Sequence, residues 1–468
     1  MMKRILALLF VAFVCMNTAY AQRNLMGYGF NSVPTSVKMN PATRPDAAAV
    51  FGVPGLNFQV GVNANNFTFG DIIREQGDST IIDGGYFVDQ LDDSNYFSMS
   101  FEDDIIFGGF ELNNEDYLTF GWYNTVEFNV FFPKDLMGVA WHGNNGQNGS
   151  YLGRLLNFKE SDLSATHYNV FHVGLNRVIN KQWSVGARLK YIQGLSNIDI
   201  EKFNVSLQTS PDAEIEYSTA INSDFLIRTS GLSQFGDDGD GVNLVNFSNF
   251  GLGVDIGAEY YYDDRWKFSA SLVDVGFIRW SDDVENYRSL SDATYNYQGL
   301  YIDLEKDDNS SNGIDSLETR FDKLVDELKD VFDVDTVKES YVTSLSTKVF
   351  LAGEYRVNER GTASALYNGY KLGNKFKGAL MFSYTYALGK KKNFSLKASY
   401  IRLDNTNSIG LGTSVNIGKV NVYMLTDNIL ALPFARDVGN FNVAFGLNVK
   451  LFDPTPRRNS KTRWDYGT

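Results

Sequence analysis

Residues 182–191 read Gln-Trp-Ser-Val-Gly-Ala-Arg-Leu-Lys-Tyr. Every odd position is apolar, and every even position is small or polar. A strict period of two is typical of a β-strand with one apolar face and one polar face. The polar face carries Arg188 and Lys190, whereas Trp183 and Tyr191 stand at the two ends of the apolar face. This arrangement favours a strand with lipid outside and a polar lumen inside.

The same alternation recurs along the chain. Runs of about 9–11 residues are long enough to cross a bilayer when the strands are tilted. We therefore predict an all-β fold, a transmembrane antiparallel up-and-down β-barrel of about 14 strands (range about 12–16), over residues 56–452. Short turns would lie on the periplasmic side and long segments outside the cell. A secreted, water-soluble all-β protein is the alternative. The predicted runs include 104–112, 117–131, 182–194, 198–208, 249–262, 343–357, 393–403 and 440–452, and the long segments are 132–165, 209–248 and 279–342.

Residues 1–21 have the pattern of a cleaved signal peptide. A basic start and a short apolar run lead to Ala19-Tyr20-Ala21, so the mature chain would begin at Gln22. The only cysteine, Cys15, lies inside this peptide, and the residues before it do not suit lipoprotein processing. The mature chain would then have no disulfide or thiolate chemistry. Because no later apolar run approaches the roughly 20 residues of a membrane helix, we expect a barrel in the outer membrane of a Gram-negative bacterium.

Charge and histidine placement argue against several other functions. The net charge of -14 argues against nucleic acid as a partner. His167 and His172 lie on opposite faces of one strand, which is wrong for a shared metal site or a dyad. The acidic stretches 237–241 and 308–313 lack the glutamate that closes a calcium loop, although calcium binding by these loops stays open. We predict no enzymatic activity, no cofactor and no metal site.

The insertion 279–342 contains a helical pattern over 316–333. Apolar residues recur there at helical spacing, and the opposite face is acidic. We expect this helix to pack on its own loop or on the barrel rim, with partner binding as the alternative. The stretch 453–468, after the last strand, reads as a C-terminal tail.

The segment 22–55, before the first predicted strand, mixes glycine, proline, asparagine and small apolar residues. Such a segment can satisfy its backbone against the polar inner wall of a barrel, so we predict a compact plug in the lumen. Val33-Pro34-Thr35-Ser36 leads into Asn40-Pro41-Ala42, and a later strand reads Asp274-Val275-Gly276-Phe277-Ile278-Arg279-Trp280. With these motifs, the chain resembles the FadL-like and PorV-like outer-membrane barrels of Bacteroidota, and within them an uncharacterised family.

The resemblance to FadL-like transporters implies that Asn40, Pro41 and Ala42 form a plug motif over a hydrophobic ligand path. The function it implies is the movement of a hydrophobic or small ligand across the outer membrane. The PorV-like comparison implies instead a non-transporting scaffold or shuttle that binds secreted or surface proteins. Outer-membrane lipid is a partner in both cases. An apolar lining beneath the plug would favour transport.

Strand parity also predicts which charged side chains face the lumen. Both signs are present in near balance, which favours a cross-linked, mostly closed lumen over an open diffusion pore. The lumen-facing candidates are Glu127, Arg188, Lys190, Asp255, Glu259, Lys348, Glu354, Lys397 and Lys450.

Overall fold

The computed structural model describes twelve stretches of the chain: 24–65, 67–76, 79–143, 150–211, 219–235, 245–289, 293–297, 334–372, 375–389, 393–403, 406–433 and 438–451. The predicted signal peptide, the helix predicted at 316–333 and the tail from 453 lie outside these residues.

Strands dominate the secondary structure. The strands are β1 Ala49–Ala64, β2 Ile73–Gln76, β3 Ser79–Ile82, β4 Ser94–Glu111, β5 Asp116–Pro133, β6 Leu155–Asn157, β7 Asp162–Val178, β8 Trp183–Thr209, β9 Thr219–Ser230, β10 Phe250–Tyr261, β11 Trp266–Trp280, β12 Asn286–Ser289, β13 Ala293–Tyr297, β14 Val334–Val337, β15 Tyr341–Ser344, β16 Lys348–Arg356, β17 Gly361–Leu372, β18 Lys375–Leu388, β19 Phe394–Leu403, β20 Thr406–Ile417, β21 Val420–Thr426 and β22 Asn440–Leu451. The α-helices are α1 Phe69–Ile72, α2 Gly84–Gln90 and α3 Lys134–His142.

Within the described residues, 14 antiparallel strands close into a barrel. The strand order is β1, β4, β5, β7, β8, β10, β11, β16, β17, β18, β19, β20, β21 and β22, and β22 pairs with β1 to complete the ring. Closure leaves no unpaired strand edge, which is the condition for a sheet to lie in lipid. The predicted fold class and strand number are confirmed.

The first barrel strand begins earlier than predicted. β1 starts at Ala49 rather than at residue 56, so the last seven residues of the predicted plug segment belong to the wall. Pro54 obscures this start in the sequence, because proline lacks the N–H that a central strand needs. In the structure, β22 pairs with β1 up to Gly52 and again from Asn57, so Pro54 lies in a bulge and removes no ladder hydrogen bond.

Two predicted runs, 182–194 and 198–208, form one strand. β8 is 27 residues long, and its second half extends beyond the barrel to pair with β6 and β9. β12 and β13 also pair with β9, so a small sheet projects from the end that carries the long segments. The single predicted run 343–357 is divided into β15 and β16, and residues 345–347 between them leave the ladder.

The two faces of the barrel differ as the alternation predicts. Leu189 is 62 % exposed on the outer face, whereas the adjacent Lys190 is 4 % exposed and points inward. Other outward side chains are large and apolar, and they include Leu351, Ile409 and Phe382. A closed barrel with an apolar outer face is stable in a bilayer. We therefore assign the protein to the outer membrane of a Gram-negative bacterium. No helix in the described part of the chain has the length and apolar character needed to cross a membrane.

Candidate functional site in the barrel lumen

Residues 24–48, here called the inner segment, lie inside the barrel and contact inward-facing side chains on several walls. The segment contains two short 3-10 helices, Leu25–Gly27 and Pro34–Lys38. The Asn24 side chain caps the first helix by accepting from Met26 N, and Pro34 opens the second, where its missing N–H has no partner to lose. Short turns of this kind suit a chain rich in proline, asparagine and glycine.

Asn40-Pro41-Ala42 forms a tight turn. The Asn40 side-chain oxygen accepts from Ala42 N at 2.9 Å, and its carbonyl accepts from Thr43 N at 3.0 Å. Asparagine first and proline second is the sequence that such a turn favours, since proline presets the backbone angle and asparagine bonds its own backbone. The plug-motif residues therefore form one local structure.

Two wall glycines receive this turn. A Cβ atom on Gly186 of β8 would lie 2.0 Å from the carbonyl oxygen of Pro41. A Cβ atom on Gly257 of β10 would lie 2.0 Å from the side-chain oxygen of Asn40. Glycine is required at both positions because the turn approaches the backbone of the wall too closely for any side chain.

Wall side chains hold the inner segment mainly through its backbone carbonyl groups. Arg188 donates to Val37 O at 2.6 Å and to Lys38 O at 3.3 Å. Ala42 O accepts from Ser184 and Asn176, and Met39 O accepts from Ser271 at 2.6 Å. Buried carbonyl groups need such partners, so the polar wall replaces the water that the segment loses. Three further donors converge on Ser32 O: Ser414, Asn421 and Lys450.

Four of the predicted lumen residues form one buried network. Asp255 accepts from Arg188 and Lys190, each at 2.8 Å. Lys190 also pairs with Asp274, whose second oxygen is 2.7 Å from Lys348 Nζ. The network runs from the carbonyl groups of the inner segment, through β8 and β10, to β11 and β16. Each member is at most a tenth exposed, so the opposite charges must compensate one another.

Glu259 and Glu354 are joined by a residue that the prediction omitted. Lys267 lies 2.9 Å from Glu354 Oε1 and 3.6 Å from Glu259 Oε1. Glu259 also accepts from Thr43 Oγ1 at 3.0 Å, which connects this group to the end of the plug-motif turn. Lys267 could have been found from the sequence, because it shares the inward parity of β11.

The other three predicted lumen residues stand apart from these groups. Lys397 donates to Tyr28 O at 2.6 Å, and Lys450 donates to Ser32 O. Glu127 accepts from Ser346 Oγ at 2.6 Å and lies away from the inner segment. The structure therefore brings six of the nine candidates into two clusters and leaves three with separate partners.

The inner segment also contributes its own cations, which the prediction did not include. Lys38 pairs with Asp104 and, at 2.8 Å, with Glu102, both on β4. Arg44 lies 3.1 Å from Glu111 near the end of the same strand. The predicted run 104–112 began too late to include Glu102, and no sequence period indicates which wall a plug cation meets.

A large apolar cluster lies on the remaining side of the lumen, beside polar residues such as Lys397 and Asn421. Inward-facing residues of β11, β16–β19, β21 and β22 form this cluster with Leu25, Met26, Tyr28, Phe30 and Val33 of the inner segment. The Tyr28 and Phe350 rings stack with their centroids 5.2 Å apart. An inner wall of this kind is unusual, since the interior of most outer-membrane barrels is polar. The wall members include Phe350, Leu366, Met381, Ile401, Leu403 and Leu425.

A buried carboxylate fixes the beginning of the described inner segment. Asp427, just after β21, accepts from Leu25 N at 2.8 Å and from Met26 N at 3.0 Å. Asn442 donates to the same carboxylate at 2.7 Å. Burial raises the pKa of Asp427 to about 6, because desolvation outweighs these three donors. Asp427 was not among the predicted residues, since it follows a strand that the sequence places only approximately.

The histidines do not gather. His167 bonds to Asn124, whereas His172 lies beneath Gly121 on the inner face, with Tyr123 as a ring neighbour. His142 is in α3. Within the described residues, no three His, Cys, Asp or Glu side chains come together in a way that could hold a metal ion.

A sequence model of a family of unknown function (DUF5723) matches residues 41–427. Among curated proteins, no sequence matches this chain. Two solved structures resemble it along nearly their whole lengths. A FadL homologue of Pseudomonas aeruginosa has 13% identity and a TM-score of 0.43, over 92% of this chain and 98% of the other. The toluene transporter TodX of Pseudomonas putida has 10% identity and a TM-score of 0.42, over 92% and 96%. The strand pairing of this chain establishes its fold independently of these likenesses.

Proposed function

The chain belongs to this family of unknown function, and we propose that it is a plugged barrel that carries a hydrophobic small molecule across the outer membrane. The path is the apolar side of the lumen, and residues 24–48 are the plug that fills it. The single observation that carries the proposal is the apolar inner wall of β16–β22. A barrel that passes water and ions has no use for such a wall, because apolar lining raises the cost of a hydrated solute.

The plug occupies the place that a ligand would take. Leu25, Met26, Tyr28, Phe30 and Val33 cover Phe350 and its neighbours on the wall. When these five side chains withdraw, they expose the apolar wall residues of this cluster to the lumen. A hydrophobic solute can then replace them at little cost, since burying its apolar surface returns about 25 cal/mol per Å².

Lys397 places one charged amine in the proposed path. It is 1 % exposed, donates to Tyr28 O at 2.6 Å, and lies 5.9 Å from the centre of the Phe30 ring. Withdrawal of the plug removes that carbonyl partner. A ligand with an apolar body and one hydrogen-bond-accepting or anionic group would replace both the apolar side chains and the carbonyl oxygen.

A scaffold for secreted or surface proteins would need neither the apolar wall nor a buried lysine beside it. The loops of such a protein would carry the function, and substitutions inside the lumen would change only stability. This difference makes the wall the place to test the proposal.

The test compares two adjacent residues that face opposite ways. Phe350 is 1 % exposed on the inner face, and Leu351 is 50 % exposed on the outer face. In proteoliposomes, we expect Phe350→Ser to slow the uptake of a pyrene-labelled fatty acid strongly, whereas Leu351→Ser leaves uptake close to that of the unaltered protein. Lys397→Met should slow uptake of the acid more than uptake of an uncharged pyrene.

Heat-modifiable gel mobility confirms that each variant is folded. Equal uptake by correctly folded Phe350→Ser and Leu351→Ser proteins would contradict the proposed path. Stable recovery of a protein partner, with no uptake by any variant, would favour the scaffold.

A further inference from the structure

A second occluding layer lies in the lumen, and the plug adds no apolar side chain to it, although Lys38 Nζ lies 4.7 Å from the centre of the Tyr123 ring. Inward-facing side chains of β5, β7, β8, β11 and β15 form a buried cluster with Leu345 and Val284. The members are Tyr123, Tyr168, Val170, Ile192, Ile278, Trp280, Val284, Tyr341 and Leu345, and no residue of 24–48 is among them. This cluster lies toward the strand ends that carry the long segments, whereas the plug-motif turn packs near the opposite ends of β8 and β10.

The wall itself folds inward to complete this layer. β15 pairs with β11 as far as Ser344–Phe277, and β16 resumes at Lys348–Val273. Residues 345–347, here called the strap, bulge from the ladder between these points, although Leu345 N still donates to Gly276 O and Thr347 O accepts from Lys371 N, each at 3.0 Å. Thr347 N donates to Leu345 O at 2.9 Å, which turns the chain sharply and directs Ser346 into the lumen.

The strap reaches across the lumen. Ser346 Oγ donates to Glu127 Oε2 at 2.6 Å. Glu127 is on β5, and β7, β8 and β10 lie between β5 and β11 in the barrel order. Leu345 is 4 % exposed and packs in the same cluster as Tyr123 of β5 and Tyr168 of β7. The contact therefore spans the lumen and does not follow the wall.

A backbone irregularity faces the strap. Asp274 of β11 has φ 60°, a left-handed conformation that residues other than glycine rarely adopt. Its carboxylate is held between Lys190 and Lys348, and its N–H donates to Asp255 at 2.7 Å. Such a conformation persists only where the surroundings impose it, and here the carbonyl of Asp274 accepts from Thr347 Oγ1 of the strap at 3.0 Å.

A second contact joins opposite walls at the same end. Tyr370 of β17 packs against Tyr96 of β4 and Phe131 of β5. In the barrel order, six strands separate β4 from β17 in either direction: β1, β22, β21, β20, β19 and β18 on one side, and β5, β7, β8, β10, β11 and β16 on the other. β4 and β17 are therefore diametrically opposite, and these rings close the middle of the lumen.

We propose that the strap and these wall side chains form an outer seal in series with the plug, so that the lumen opens only when the strap also leaves it. The proposal does not depend on the chemistry of the ligand, because it concerns access to the lumen and applies to any solute. Removing the plug alone would then leave the lumen closed from the outside.

The test places a reporter on the wall that the plug covers, so that both the outer seal and the plug lie between it and the outside. Ala352 faces inward on β16 and packs at the edge of the apolar cluster, so Ala352→Cys introduces a small thiol there. The only cysteine in the sequence is Cys15, in the predicted signal peptide. Cells that produce the Ala352→Cys protein are treated with a membrane-impermeant maleimide from outside. The same reporter is then combined with a deletion of residues 27–48, with Leu345→Ser/Ser346→Ala/Tyr370→Ala, or with both.

We expect labelling only when both seals are altered. Full-length chain, plug deletion and strap variant should each remain unlabelled, and the combined protein should react at a rate near that of an exposed thiol. Labelling after plug deletion alone, at the combined rate, would overturn the proposal. A combined protein that folds by heat-modifiable mobility yet stays unlabelled would overturn it as well, since other groups would then close the lumen. Planar-bilayer conductance of the same proteins gives an independent measurement that uses no reporter.

Discussion

The glycines beneath the plug-motif turn give the sharpest test of how the plug is held. A Cβ atom on Gly257 would lie 2.0 Å from Asn40 Oδ1 and 3.0 Å from Pro41 Cδ. One on Gly186 would lie 2.0 Å from Pro41 O and 2.5 Å from Ala42 N. Since ordinary carbon contacts are about 3.5–4.0 Å, Gly257→Ala or Gly186→Ala must push the turn away from the wall by more than about 1 Å.

The magnitude follows from the contacts that such a shift removes. Overpacking of this kind costs about 1–3 kcal/mol. The turn also loses the bonds that Asn176 and Ser184 donate to Ala42 O, each of which contributes about 1 kcal/mol. Together these effects amount to about 3–5 kcal/mol, which lowers the ratio of docked to released plug by roughly two to four orders of magnitude.

A buried thiol in the plug reports this ratio. Val37 is 1 % exposed and packs against Val50 and Phe107 of the wall, so Val37→Cys is shielded while the plug is docked. In detergent-solubilised protein, the rate of maleimide labelling should rise strongly when Gly257→Ala or Gly186→Ala is added. The increase follows the released population as long as release and return are fast relative to labelling.

Gly253→Ala is the matched control. Gly253 faces inward on the same strand as Gly257, but a Cβ atom there would meet its nearest neighbours at 3.3–3.5 Å, which they can accommodate by a small movement. We expect its labelling rate to stay close to that of Val37→Cys alone. If Gly257→Ala and Gly186→Ala label no faster than Gly253→Ala, the wall does not hold the plug through this turn.

Three further outcomes are expected. Leu189→Arg should lower the free energy of unfolding by about 2–4 kcal/mol if the site lies near the bilayer midplane, and Leu189→Ala should lower it far less. Urea midpoints measure both losses, and equal losses would contradict the outward assignment of Leu189. The pKa of Asp427 is raised to about 6 while the plug is docked and returns to its ordinary value near 4 when the plug is released. Docking is therefore strongest when the carboxyl is neutral. It weakens by on the order of 3 kcal/mol as pH rises from about 4 to about 6. Val37→Cys labelling, normalised to labelling of the exposed Asn31→Cys, should therefore increase from about pH 4 to about pH 6, and Asp427→Asn should remove the dependence. Asp274→Asn removes the carboxylate charge that Lys190 and Lys348 share and should lower the free energy of unfolding by about 3–5 kcal/mol, whereas Asp283→Asn at the exposed second left-handed aspartate should change the urea midpoint little.

The period-two pattern predicted the wall because a closed barrel repeats one rule at every strand. If the side chain of Leu189 faces lipid, that of Lys190 must face the lumen. The same alternation of outward and inward side chains holds along β10 and β22. The pattern is least informative where the ladder is irregular. The bulge at Pro54 obscured the start of β1, and the break at residues 345–347 divided one predicted strand into β15 and β16.

The partners of the lumen residues could not be read from the same pattern. Parity placed Lys190 in the lumen, but nothing in the local sequence indicates that it meets Asp274, 84 positions away. The left-handed backbone at Asp274 is likewise invisible to a period, since it arises from three groups on neighbouring strands. Lys38 shows the limit most clearly, because the inner segment belongs to no ladder and its wall is set only by the folded lumen.

The way in which the wall holds the plug bears on how a ligand could replace it. On the charged side, Arg188, Asn176 and Ser184 bind carbonyl groups, so they constrain the path of the plug and not its side chains. The residues Leu25–Val33 are then free to match the apolar wall, as a ligand would. A tethered competitor acts at an effective concentration in the millimolar range, so a free hydrophobic solute at lower concentration can displace it only if plug docking is marginal. The burial of Asp427 and Lys397 costs desolvation free energy, which offsets part of the stabilisation from the apolar contacts of the plug and so favours its displacement by a ligand.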